Sequence, residues 1–491
     1  MAPSERRSDG LTYVLALDLG STNLKAALFH KHHGCIGEAG LPVAYIAREV
    51  MTGGLYRAEL DADLTWETTV ALIRETCAQA GVATHDIDRI AVASQAQTFA
   101  LLDDAETALT PFYSWLDSRG EPYLAEIAER LGAEFHHHCS FSAGMSEMHL
   151  AKLLWLRRTA PHLLDRARYV IHLPSYVLLR LTGLNILDPN LAGMSGLYSI
   201  PHGCWWSEAL DLCDISAAQL PTLVPLGVPI AATRPCPALP LSPDLQVVMA
   251  GNDHTAGAFG NDCRKGDVVV TLGTALVAYR FAGTAPGPYS HSGCWGPYPG
   301  GSFYELAVHS YGCLALDWSR ELLLPGQDVP AFMDLAQGAG LTRSGKSVHR
   351  PTLFYPDRIG TDGAWVGTGN PSKRALAVLE GIGFTLRRLI VDDLGITTGL
   401  RTITVVGGGS RSPFWRQVLA DILACTVRVG TGDARTGAAR MATADARCFT
   451  LQPKQAGSQE DTREALPDPG AARHYQGLYR RWRESDPSSG A

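Results

Sequence analysis

Two stretches more than two hundred residues apart share one pattern. In "LALDLGSTNLKAALF" (15–29), an apolar run ends in Asp18, Gly20, Ser21 and Thr22 before the apolar run Ala26–Phe29 begins. "VVVTLGTALVAYRF" (268–281) does the same around Gly273 and Thr274. A glycine turn between two apolar strands predicts a tight hairpin. One such unit in each half of the chain predicts two related domains facing one another. The first hairpin also raises a chemical question. A carboxylate at the end of an apolar strand is costly unless it has a partner or a task, and Asp18 stands there.

The chain has 491 residues, too many for one core and a suitable length for two large domains. With 46% hydrophobic and 19% charged residues it is an ordinary globular sequence. A net charge of −7 gives no general attraction to nucleic acid or anionic lipid, so neither is expected as a partner. No run of about 18 apolar residues predicts a membrane span. "MAPSERRSDG" has basic residues with no apolar stretch behind them, which predicts a polar lead-in and a cytoplasmic protein. The 11 cysteines are scattered without a CxxC pair and are expected to be reduced, mostly buried thiols. In His136-His137-His138-Cys139, neighbouring side chains diverge, so the run is a poor metal site.

Strands are expected at 13–18, 24–30 and about 41–46 as an antiparallel meander. A helix follows over Leu64–Ala80 with Asp63 as its N-cap. "DRIAVASQAQTFALLD" (88–103) reads as strand, polar break, strand. Helices dominate from about 121 to 220, and the Pro-rich stretch Pro221–Pro243 reads as a connector. A strand at 402–406 leads through "GGGS" into a helix reaching Leu423, and "HYQGLYRRWRES" reads as a terminal helix.

Glycine lets backbone N–H groups approach a ligand, and Ser and Thr add donors, so both hairpin turns suit phosphate oxygens. The alternative is a hairpin whose hydroxyls satisfy their own backbone. Asp18 beside such a turn would hold Mg²⁺ directly or through water. Gly407-Gly408-Gly409 sits between strand and helix, where an anion or a purine ring fits; it is no P-loop, lacking the following Lys. Asp253 in "AGNDHTAGAFG" follows an apolar strand and is a candidate acceptor for a hydroxyl proton, or else a helix N-cap. A serine hydrolase would need G-x-S-x-G after a strand, which "GMSG" at 193–196 does not supply.

In register over nearly the whole length, "LALDLGSTNLKAALF", "SQAQTFALLD", "SWLDSR", "KLLWL", "LTG", "AGNDHTAGAFG", "TLGTA", "RALAVLEGIGFTLR", "VVGGGSRSPFWRQVLADIL" and "TGAARMA" resemble the FGGY carbohydrate kinases, of the actin/hexokinase/heat-shock ATPase superfamily. The resemblance implies an α/β fold of two ribonuclease-H-like domains, each a mixed five-stranded sheet flanked by helices, with the active site in the cleft between them. It implies domains at 11–247 and 248–450 and a tail at 451–491. ATP and Mg²⁺ are the implied cofactors and a sugar the implied substrate; dimers are common in the family, which makes a homodimer an expectation. Asp253 is implied as the base that activates the sugar hydroxyl and, with Asp18, as a Mg²⁺ ligand. Gly20, Ser21, Thr22, Lys25, Gly273 and Thr274 are implied around the ATP phosphates, with Gly312, Gly408, Gly409 and Ser412 on the nucleotide side.

The family reads its sugar at the positions of Ala96, Gln97, Trp115, Asp117 and His254, with Glu147 or His149 adding to the pocket. Core packing is the alternative for Trp115, and an ion pair with Arg119 for Asp117. Glycerol kinases carry Arg-Glu at 96–97 and xylulokinases Met-His, so Ala96-Gln97 argues against glycerol and leaves room for a larger substrate. A ketose is expected, D-xylulose first; L-xylulose, ribulose, fuculose and a heptulose remain open, as does a non-catalytic sensor on the same scaffold. The segment "RPTLFYPDRIGTDGAWVGTGNP" departs from the family's usual loop, and "GTGDARTGAAR" lacks the acid commonly found before its GAA.

Overall fold

The computed structural model describes residues 11–51, 53–263, 265–283, 293–340, 351–443 and 464–485. The lead-in 1–10 and the tail positions 444–463 lie outside them. The chain forms two compact units, each assembled from separate stretches. One comprises Met1–Asp262, Trp295–Tyr304 and Gly432–Gln455, the other Cys263–Cys294, Glu305–Thr431 and Ala456–Ala491. A division after residue 247 falls inside the strand Gln246–Asn252, and Asp253 groups with the first unit rather than the second. The reason is pairing: that strand runs parallel to Arg89–Ser94, deep in the first unit's sheet.

That sheet is mixed. Tyr13–Leu19, Asn23–His30 and Gly34–Pro42 form an antiparallel meander, while Arg89–Ser94 lies parallel to Tyr13–Leu19 on its other side. In the second unit Val268–Leu272 pairs antiparallel with Leu276–Phe281 and parallel with Thr402–Val406, which in turn lies parallel to Thr426–Val429. The repeated hairpin therefore does mark a repeated topology. Among the described residues the two sheets have six and seven strands rather than five, the additions including the two-residue edge strands Ile230–Ala231 and Glu464–Ala465.

Both faces of the first hairpin are buried. Leu15, Leu17 and Leu19 point into one apolar cluster, while Val14 and Ala16 point into another built mostly of alanines. That alternation is the period of two expected of a strand covered on both sides. The expected strand at 41–46 is instead split. The ladder stops at Pro42, which has no N–H to donate, and the chain re-enters as Tyr45–Val50 in a separate five-stranded sheet. The following helix runs Ala62–Ala80 and is capped by Asp61, whose carboxylate accepts from Leu64 N–H; Asp63 lies in the first turn instead. Among the described residues no helix is long and apolar enough to cross a membrane.

The terminal helix Pro469–Glu484 buries Tyr475, Leu478 and Trp482 against the second unit's core. Under it sits Glu380, in helix Pro371–Arg388, accepting a 3.0 Å hydrogen bond from the Tyr475 hydroxyl. Burial pushes the Glu380 carboxyl up to about 7, only partly offset by that bond. An unfolded chain ionises this group near its ordinary value, so the fold binds the extra proton. Stability from Glu380 is thus complete at acid pH and is lost as pH rises through about 7. Glu380→Gln keeps the acceptor without the charge. Its melting temperature should exceed that of the parent at pH 8 and converge with it below pH 5; an equal gap at both pH values would contradict the assignment.

Candidate active site

The turn at Gly20–Thr22 is held by its carbonyls. Gly20 O accepts from Gln95 Nε2 (3.2 Å), Ser21 O from the Tyr45 hydroxyl (3.1 Å) and Thr22 O from Val43 N–H (2.9 Å). In a planar trans peptide the N–H points opposite to the C=O. Anchoring these three oxygens inward therefore turns the N–H groups of Ser21, Thr22 and Asn23 outward, an arrangement suited to anionic oxygens. Gly20 is required by crowding, since a Cβ there would lie 2.8 Å from Asn23 O. Thr22 and Lys25 are exposed. Neither Tyr45 nor Gln95 was singled out by the sequence, because their role depends on which strands become neighbours.

Asp18 is buried, and its Oδ1 has no hydrogen-bond partner. Burial, followed by the nearby Asp253 carboxylate, raises its pKa to about 7; Lys25, its cross-strand neighbour, and Arg435 oppose the shift, and Asp433 adds to it. A buried carboxylate oxygen with no donor, beside a second carboxylate, fits a divalent cation and its waters. The described residues contain no group of three or more His, Cys, Asp or Glu converging on one point, so such an ion would complete its shell with water and phosphate.

Asp253 is the first residue of helix Asp253–Gly260, and the cap is its neighbour Asn252, whose side chain accepts from Thr255 N–H (2.8 Å). The capping alternative for Asp253 is thereby corrected, and its side chain is left 41% exposed. The strand before it bulges after Met249, with Gly251 at φ +75°, and pairs once more at Asn252, opposite Ser94, before the helix begins. Buried Asn190 fixes this exit: its Oδ1 accepts from Asn252 N–H (2.8 Å), and its Nδ2 donates to Thr255 Oγ1 (2.8 Å) and Pro297 O (2.6 Å). His254 Nε2 lies 4.0 Å from Asp253 Oδ1.

The loop after Asn190 ties Asp253's neighbour to the expected sugar-reading segment. Met194 O accepts from Gln97 Nε2 (3.0 Å), while Met194 Sδ is 3.2 Å from Asn252 Nδ2. Ala96, Gln97 and Trp115 are half-buried. Asp117 is fully buried, and its carboxylate accepts from the Arg119 guanidinium (2.6 Å) and from Ala58 N–H (3.0 Å), which is the ion-pair arrangement. His149 is also fully buried, in a stack with Phe99 and His172, whereas Glu147 is half-buried. The histidine run ends helix Leu124–Cys139, with His138 bonded to Ser199 Oγ (2.7 Å) and His136 to Phe141 O (3.1 Å).

In the second unit three sequence motifs meet at one end of the sheet. The Gly273 and Thr274 carbonyls accept from Cys313 N–H (2.7 Å) and Gly312 N–H (2.9 Å). A Cβ on Gly312 would lie 2.7 Å from Gly273 O, and one on Gly407 (φ +92°) 2.6 Å from Leu272 O. Gly409 is packed under the Trp415 ring, whereas Gly408 faces open space. Ser412 caps helix Pro413–Leu423 by accepting from Trp415 N–H (3.2 Å). The turn, Gly312 and the glycine run thus form one cluster of closely approached backbone.

Residues 13–260 match the N-terminal domain of the FGGY family of carbohydrate kinases, and residues 347–446 match its C-terminal domain. The chain belongs to that family. The FGGY chain is 26% identical over 452 residues to the xylulose kinase of Escherichia coli K12, covering 87% of this chain and 89% of the relative. It is 27% identical over 431 residues to the L-fuculokinase of the same organism, covering 85% and 88%. Its fold matches the ligand-bound xylulose kinase of Lactobacillus acidophilus with a TM-score of 0.83 at 20% identity, over 96% of this chain and 97% of that one. The two-domain α/β architecture of mixed sheets flanked by helices is thus that of the FGGY kinases, and the chain is a carbohydrate kinase with a sugar and ATP as its small-molecule partners.

Proposed function

We propose that this kinase transfers the γ-phosphate of ATP to a hydroxyl of a ketose, with D-xylulose as the preferred acceptor, and that Asp253 is the base. The observation that carries the reading is a half-exposed Asp253 carboxylate, relieved of capping by Asn252 and accepting only from its neighbour His254 N–H (3.0 Å) among the described residues, close enough to raise the pKa of Asp18, whose Oδ1 has no donor among them. Phosphoryl transfer asks the protein mainly for positioning and charge neutralisation. Asp253 accepts the proton of the attacking hydroxyl, and the Asn252 cap and Asn190 keep its carboxylate where the helix begins. The outward N–H groups of the Gly20–Thr22 turn, with Thr22 and Lys25, suit phosphate oxygens, and the turn of Gly273 and Thr274 has the same character. Gly312, Gly408, Gly409 and Ser412 form the nucleotide side. Mg²⁺, when bound, neutralises phosphate charge, and Asp18 and Asp253 are the residues that would hold it. Ala96, Gln97, Trp115 and His254 read the sugar, while Asp117 acts through its ion pair with Arg119. We read the protein as cytoplasmic and as a homodimer.

The relative named for L-fuculose supports a deoxy sugar as the second reading. A coupled ADP-release assay with Mg-ATP across ketoses, polyols and aldoses separates the two. Dominant turnover of D-xylulose is expected. Preference for another sugar would keep the kinase and discard the pentulose, and silence across the panel with ATP bound would favour a sensor.

A further inference from the structure

Lys152, in helix His149–Thr159, is wholly buried. Among the described residues its ammonium makes no ion pair; Nζ donates instead to two backbone carbonyls, Gln97 O and Ser114 O, at 2.7 Å each. These two carbonyls belong to different segments. Gln97 follows Ala96 in one proposed sugar-reading stretch, and Ser114 precedes Trp115 in the other. Gln97 is also strained, with φ +62°, a left-handed conformation that a non-glycine residue rarely adopts. Around the clamp, Trp115 N–H donates to Thr98 Oγ1 (3.1 Å), and Thr98 Oγ1 donates to Gln95 Oε1 (3.3 Å). Gln95 and the Ser114 neighbour Tyr45 are the residues that anchor the phosphate-facing turn.

Burying an ammonium this deeply is expensive. Burial pulls Lys152 down to about 7, with Asp117 and Glu147 favouring the charge and Arg119 opposing it. A methionine would fill the same space with no such penalty, so the fold retains the amine for the bonds it makes. We propose that Lys152 is a positioning residue for the acceptor sugar: by clamping the Gln97 and Ser114 carbonyls it holds the left-handed Gln97 and the Trp115 segment in one fixed geometry. Lys152 itself does not touch the sugar. This rests on the reading of Gln97 and Trp115 as sugar-facing residues.

The test combines steady-state kinetics with D-xylulose dissociation constants from intrinsic fluorescence, on the full chain. Lys152→Met should raise the sugar KM and Kd at least tenfold, with the ATP KM and kcat changed less than about threefold. Lys152→Gln, which keeps amide N–H donors on a shorter, uncharged side chain, should fall between parent and Lys152→Met. In a Gln97→Ala background, which by itself raises the sugar KM, Lys152→Met should cost less than it does in the parent, because the part of its effect that passes through the Gln97 side chain is already lost. Equal losses for sugar and ATP, or fully additive losses in the double variant, would overturn the proposal. So would loss of the folded state in both single variants, which marks a purely structural lysine. The binding arm separates two failures. If the parent binds the sugar without phosphorylating it, the kinase assignment falls while Lys152 is still judged on Kd. If the parent binds no sugar of the panel, the pocket and the clamp fall together.

Discussion

Asp253→Ala should lower kcat by about 10²–10⁴, the contribution typical of a positioned general base, while leaving the sugar dissociation constant within a few-fold of the parent. The folded structure should survive the change. The side chain is 41% exposed and helix Asp253–Gly260 is capped by Asn252, so its removal deletes neither core nor cap. Asp253→Asn is the sharper comparison, because it keeps shape and hydrogen bonding but cannot accept a proton. Both variants should show the same collapse of kcat. Retention of most of the parental kcat by either one would remove Asp253 from the mechanism and return attention to His254.

Gly437→Ala should be nearly as damaging without touching any substrate. A Cβ on Gly437 would lie 1.7 Å from Ala256 O and 2.9 Å from Gly260 N. No rotamer relieves a clash with backbone, so helix Ala434–Met441 and helix Asp253–Gly260 must move apart. Overpacking of this kind costs about 1–3 kcal/mol and more where backbone has to shift. At about 2–4 °C per kcal/mol, the melting temperature should drop by roughly 5–10 °C. The second consequence is catalytic. Asp253 begins the displaced helix, and a misplacement on the order of 1 Å can cost about 10²-fold in rate. Folded, soluble Gly437→Ala protein at low temperature should therefore keep its sugar affinity but lose about two orders of magnitude in kcat. Parental kinetics and melting would mean that the two helices have room to spare.

The hairpins were legible because both signals are local: an apolar run announces a buried strand, and glycine with hydroxyls announces the turn. The repeated topology followed from them. An acid at the start of each helix suggests a cap, as the expectation for Asp63 and as the alternative for Asp253, and the structure moves both by a residue or two. Asp61 rather than Asp63 and Asn252 rather than Asp253 supply the caps, because capping depends on where the chain enters the helix, which composition alone does not fix. Tyr45, Gln95, Asn190 and Lys152 were not legible as parts of the site. Each acts through a carbonyl or an amide brought near by strand pairing, and nothing in their own neighbourhoods marks that. The sugar is the least legible element, since Gln97 and Ala96 change hydrogen-bonding capacity and volume without naming a stereochemistry.

The first unit is closed by residues drawn from near the far end of the sequence. Helix Ala434–Met441 packs against the helix of Asp253 and against the alanine-rich face of the first sheet. A ribosome delivers residue 253 well before residue 434. Throughout that interval the nascent chain carries an alanine surface without its cover and the helix of Asp253 without its backing. Closing this loop of some 180 residues is a late, slow event of high sequence separation. A chain interrupted before Gly432 holds Asp253, the Gly20–Thr22 turn and Gln97, yet lacks the helix that packs against the first of them. Premature termination or proteolysis within the second unit should yield a fragment with this alanine face exposed and prone to chaperone capture.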